Sequence, residues 1–177
     1  FALVMQGTQK SVIIAFMVGL IATMIGTLIG GAAGYFRGRI ESILMRATDL
    51  VIIIPLLVLA AVLGRMVDGA NIYVLAGVLG VVVWTGMARL VRGEVLSLRE
   101  REFVHAAKAI GTSNWRIIFR HILPNCIGTI VVNSTLLIAS AILLETALSY
   151  LGFGVRAPES SLGLLISQNQ EAMDTRP

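Results

Sequence analysis

Charge is scarce in this chain. Only 14% of its 177 residues are Asp, Glu, Lys or Arg, against roughly 25% in soluble domains, and that deficit argues against an ordinary soluble fold. Cysteine is scarcer: Cys126 stands alone, which excludes an internal disulfide, and no neighbouring thiols or other ligands suggest a metal site. Cys126 therefore reads as a small buried apolar residue. No G-x-x-x-x-G-K-[ST] phosphate loop occurs, so the chain supplies no nucleotide hydrolysis of its own. Two histidines, His105 and His121, have no Cys, Asp or Glu cluster around them, which leaves a membrane enzyme without convergent catalytic groups. The start, Phe1–Lys10, lacks a basic n-region and a cleavage site and is no signal peptide. Because the chain opens on Phe1 rather than Met and stops at Pro177, sequence is expected to continue beyond both ends.

What is present is apolar: 56% of residues are hydrophobic, in runs long enough to cross a bilayer. At about 1.5 Å per helical residue, a core roughly 30 Å thick needs about 20 of them. Four spans are predicted, about 11–36, 47–64, 69–88 and 122–144. The first is uncharged and rich in small residues, with Gly26 and Gly30 forming a GxxxG pair that permits close helix approach. The second is short, with Asp49 near one end and Pro55 in its middle, where a proline predicts a kink. Pro124 lies in the first turn of the fourth, where its missing N–H costs little.

The loops set the orientation. The net charge of +4 sits between apolar runs, which points to the positive-inside rule rather than to nucleic acid. Arg37, Arg39 and Arg46 face one acid, Glu41, in the first loop; Arg65 and Asp68 are the only charges in the second; the third, 89–121, holds Arg89, Arg92, Arg99, Arg101, Lys108, Arg116 and Arg120. Four spans make the loops alternate, and both basic loops then fall on the cytoplasmic side. The segment 146–177 starts on the outer side, and within it 155–163, with Glu159, Ser160 and Ser161, either forms a simple loop or folds back toward the mouth of a path.

The 89–121 loop is patterned. Phe103, Ala106, Ala107 and Ile110 fall at i, i+3, i+4 and i+7, one helical face. Gly111 is a natural left-handed stop, and Thr112 or Ser113 can cap a following helix. In that helix Trp115, Ile118, Phe119 and Ile122 repeat the spacing, with Arg116 and Arg120 one turn apart off the stripe. Such an element can lie on the bilayer as a basic amphipathic segment, pack as a solvated connector on its own subunit, or dock a soluble partner. Small residues at Ala106, Ala107 and Gly111 favour docking, because they admit a close neighbouring backbone.

The run His105–Gly111, nine further residues and His121-Ile122-Leu123-Pro124 resembles the signature loop of ATP-binding cassette importer permeases: E-A-A, three residues, G, nine residues, I-x-L-P. The wording of 91–100 and 119–125, with Gly34-Tyr35-Phe36, 44–49, 88–93 and 148–154, is similar to the second, C-type permease of the dipeptide/oligopeptide/nickel subfamily, over nearly the whole chain. His105 replaces the signature Glu, which removes one possible charged contact, and His121 replaces Ile. The resemblance implies an all-α polytopic type I importer transmembrane domain, with one further span expected on each side of those seen here. It implies a multi-pass inner-membrane location in a bacterium or archaeon. It further implies a homologous second permease, two cytoplasmic ATPases carrying ATP and Mg, an extracytoplasmic binding protein and a peptide cargo, with nickel or another small solute as the alternative. Arg101, Phe103, His105, Ala106, Ala107, Ile110, Gly111, Trp115, Leu123 and Pro124 would then couple to the ATPase, with Phe103 and Ile110 as anchors. Asp49, Asn133 and Glu145, polar groups in or at the ends of spans, are candidate path residues. An ion-gradient-driven transporter is the competing class; it would place charges in mid-span, where none is found.

Overall fold

A computed structural model of the chain describes residues 2–66, 72–155 and 161–175, the last five of them as backbone only. Among these residues every regular element is helical. In chain order they are α1 (Ala2–Phe36), α2 (Gly38–Ile53), α3 (Leu56–Met66), α4 (Ile72–Leu98), α5 (Glu102–Ala109), α6 (Asn114–Ile117), a π turn (Ile118–Ile122), a 3-10 turn (Leu123–Cys126), α7 (Ile127–Tyr150) and α8 (Leu162–Thr175). Three helical stretches are long and apolar enough to cross a membrane: α1, α4 and the run Asn114–Tyr150. A fourth arises if α2 and α3 count together as one bent span.

Three predicted boundaries shift for one reason. Charged residues end the apolar run, but they do not end a helix. α1 starts at Ala2 rather than near Ser11, with Lys10 inside it; its 35 residues are about 52 Å long at the usual rise, well beyond the roughly 30 Å bilayer core. α4 continues through Arg89, Arg92 and Glu94 to Leu98, so the loop proper begins ten residues later than the hydropathy implies. The fourth helical run begins at Asn114, not Ile122, and ends at Tyr150, not Leu144. Pro124 is therefore in mid-run rather than in a first turn. The backbone accommodates it by widening into the π turn before it and tightening into the 3-10 turn that contains it. The Asn125 side chain donates to the His121 carbonyl at 2.6 Å.

The expected kink in the second span is a full break. α2 and α3 differ in direction by 86° across residues 54–55. Pro55 has no N–H to give the preceding turn, and its ring drives Ile54 out of the α region. The new helix starts on the proline carbonyl, which accepts from Leu59 N at 3.0 Å.

The chain divides into two compact units. One comprises Phe1–Ile21, Ile54–Val83 and Leu136–Pro177. Its core joins Ile14 and Val18 of α1, Ala60 of α3, Leu75 and Leu79 of α4, and Leu144 and Leu148 of α7. The other comprises Ala22–Ile53 and Trp84–Thr135, with Met87, Val91, Val95, Val104, Ile117 and Ile122 buried, and Cys126 with them. Here the GxxxG pair has a packing role. A Cβ on Gly26 would come within 2.6 Å of Met87 Cβ, one on Gly34 within 2.9 Å of the Arg92 carbonyl, and one on Gly30 would overlap the Ala88 carbonyl outright. The three glycines, four residues apart, form a groove in α1 into which the α4 backbone settles.

Candidate coupling element

The candidate site lies in the second unit and starts where α4 ends. Arg101 N bonds the Leu98 carbonyl at 3.1 Å, and the Arg101 carbonyl then accepts from Val104 and His105 to open α5. Glu102 in the first turn and Lys108 in the last complement the helix dipole. α5 closes on a Schellman turn: Gly111 N bonds the Lys108 carbonyl at 3.0 Å and Thr112 N reaches the Ala107 carbonyl at 3.1 Å. Gly111 takes φ of +77° there, the left-handed conformation that only glycine adopts without cost. Ser113 occupies the cap position of α6 with extended backbone, but its hydroxyl makes no capping bond.

Burial divides the α5 stripe. Phe103, Ala106 and Ile110 are exposed, Ile110 at 83%, whereas Ala107 is buried. Ala107 is thus not part of the outward surface; with Val104 it packs α5 against its own unit. The α6 stripe divides in the same way. Ile118 and Ile122 turn inward beside Ile117, while Trp115 and Phe119 face out. Those two rings stack 5.8 Å apart, and Phe36 meets Trp115 edge-on at 6.2 Å. Arg101, His105 and Pro124 are exposed and Leu123 is half-buried. His105 Nε2 lies 3.9 Å from a Glu100 carboxylate oxygen.

Tyr35, at the end of α1, is the hub the sequence pattern did not single out. Its hydroxyl donates to Asn114 Oδ1 at 2.8 Å, and its carbonyl accepts from Arg99 Nη1 at 2.6 Å. Its ring lies 5.5 Å from Lys108 Nζ. Tyr35 thereby ties α1 to both loop helices. The only sequence sign was its place in a Gly-Tyr-Phe run. The same unit carries ion pairs that link α2 to α4: Arg89–Asp49 at 2.5 Å and Arg92–Glu41.

Of the three path candidates, Asp49 and Asn133 belong to this unit and Glu145 to the other. Asp49 is engaged with Arg89. Asn133 donates to the Thr129 carbonyl of its own helix at 2.9 Å. Glu145 is fully buried. It accepts from Ser11 Oγ at 2.8 Å and Ser149 Oγ at 2.7 Å. Those hydroxyls in turn accept from Leu162 N at 3.3 Å and Val155 N at 3.0 Å. Glu145 braces the two ends of the outer segment. Glu159 and Ser160 lie outside the described residues; Ser161 is buried.

Residues 22–174 match the family described as the inner membrane component of binding-protein-dependent transport systems. The oligopeptide transport system permease protein OppC of Mycobacterium tuberculosis H37Rv is 40% identical over 174 residues, 98% of this chain and 60% of its own length. OppC of Lactococcus lactis subsp. lactis is 38% identical over 177 residues, with 99% and 60% coverage. The dipeptide transport system permease protein DppC of Bacillus subtilis is 40% identical over 159 residues, with 90% and 49% coverage. The chain thus spans about half to three-fifths of the length of these relatives. A match over most of its residues, joined to the broken and long apolar helices, makes this chain a member of the family of inner-membrane components of binding-protein-dependent transport systems.

Proposed function

We propose that the chain is the permease half of an ATP-driven importer of di- or oligopeptides, and that α5 and the Gly111 elbow form the surface gripped by a separate cytoplasmic ATPase, with α6 carrying the movement on into the following helices. One observation carries this reading. A short helix presents Phe103, Ala106 and Ile110 outward, while Val104 and Ala107 fasten its back to its own unit. An apolar side chain left 83% exposed on a fixed helix suits a partner better than solvent. Beyond the elbow the helical run continues from Asn114 to Tyr150, so a displacement of α5 has a continuous helical route into a span. Closure of two nucleotide-loaded ATPases would move the permease between inward-open and outward-open states as rigid bodies. ATP and Mg would be held by those partners. A homologous second permease and an extracytoplasmic binding protein complete the proposed assembly, and peptide as cargo rests on the relatives' names.

The test is Ile110→Asp in the reconstituted transporter. Ile110 touches little of its own chain, so insertion and permease pairing should survive while cargo-stimulated ATP hydrolysis and uptake fall at least about tenfold, the effect of removing an interface anchor. Uptake equal to the parent would remove α5 from the contact.

A further inference from the structure

We infer that a second surface of the same unit binds an anionic phospholipid of the cytoplasmic leaflet, its acyl chain in an apolar groove beside α1 and its phosphate on Arg116 and Arg120. The groove holds about 120 Å³ and is lined by Thr27, Gly31, Trp115, Ile118, Phe119 and Leu123, among others. Gly31 leaves its floor open: a Cβ there would meet only Leu123 Cδ2, at 3.8 Å. The stacked Trp115 and Phe119 rings form one wall. Exposed Met24 and Leu28 continue the apolar surface along α1.

Arg116 and Arg120 each follow a wall residue in sequence and lie one turn apart, so both flank the aromatic wall. Both are exposed, and neither has an ion-pair partner among the described residues. Arg37, Arg89, Arg92 and Arg99, in contrast, each have a carboxylate. The position fits a headgroup. The loop charges put this end of the helices on the cytoplasmic side, where aromatic side chains sit at the interface and basic residues meet anionic lipid. Two guanidinium groups one turn apart can share a phosphate through charge-assisted hydrogen bonds. A soluble partner would not reach the Met24–Leu28 surface, and an apolar helix of a second permease would leave both arginines without a counter-charge.

Trp115 supplies the probe. The assembled transporter carrying the full-length chain is reconstituted with brominated phosphatidylglycerol or brominated phosphatidylcholine, and the signal of Trp115 is isolated by difference against Trp115→Phe. Half-maximal quenching is expected at about a fivefold lower mole fraction of the anionic lipid. The double variant R116Q/R120Q, at exposed positions, should abolish that preference, and Gly31→Leu, which fills the groove, should weaken quenching by both lipids. Equal quenching by the two headgroups would reduce the groove to unselective bilayer contact. Absence of quenching by either would mean that protein covers it. A preference surviving R116Q/R120Q would remove the arginines. Any of these overturns the proposal.

Discussion

Replacing Glu145 by Ala should loosen both ends of the outer segment at once. The carboxylate accepts from Ser11 and Ser149, and each hydroxyl receives a backbone N–H, from Leu162 and Val155 respectively. A hydrogen bond contributes about 0.5–1.5 kcal/mol net, and an orphaned buried donor costs about 1–3 kcal/mol. Relief of the carboxylate's own burial offsets part of that sum, so a net loss of about 2–4 kcal/mol is expected. Glu145→Gln keeps the shape and one acceptor, and should cost about half as much. The readout is hydrogen–deuterium exchange of peptides containing Val155 and Leu162. If each anchor weakens by about 1.4 kcal/mol, its amide should exchange about tenfold faster through local opening, while peptides of α4 should not change. A double-mutant cycle with Ser11→Ala should give a coupling of about 1 kcal/mol or more, since contacting residues are not additive. Additive effects, or unchanged exchange at both amides in Glu145→Ala, would refute the brace.

Other substitutions probe separate parts. Gly30→Leu should prevent α1 from seating on α4, because even a Cβ overlaps the Ala88 carbonyl; thermal melting of the purified chain should fall by several degrees or the protein should fail to accumulate, whereas Gly31→Ala, whose Cβ would make only an ordinary contact with Leu123 at 3.8 Å, should melt like the parent. Gly111→Val forces a β-branched residue to φ of +77°, at a cost of about 1–2 kcal/mol, and should unwind the end of α5; uptake should drop with insertion intact, as measured by transport in vesicles. Tyr35→Phe removes the hydroxyl that holds Asn114 and should cost about 0.5–1.5 kcal/mol, read as a lower melting temperature, with a smaller loss of transport than Ile110→Asp.

Much of the α5–α6 element was legible because its chemistry is local. Gly111 sits where helical periodicity stops, and its left-handed turn follows from the absence of a Cβ. The outward positions of Phe103 and Ile110 were readable as one stripe, but the stripe could not say which of its members faces inward. Ala107 and Ile122 share the spacing of their exposed neighbours and are buried only because the rest of the unit packs behind them. Helix ends were misplaced where a charge was read as a terminus. Arg89 and Arg92 can continue α4 because Asp49 and Glu41 on another helix neutralise them, and a partner more than 35 residues away leaves no periodic signal.

The sequence by itself determined the medium, the crossings' approximate places and the Gly111 elbow, since each depends on short-range hydropathy or backbone freedom. The tertiary structure decided what distant residues do together. It made Tyr35 a hub, seated α4 in the Gly26–Gly30–Gly34 groove of α1, and set Glu145 between Ser11 and Ser149. These outcomes rest on contacts between segments far apart along the chain, where packing and polar satisfaction are settled only after the helices meet.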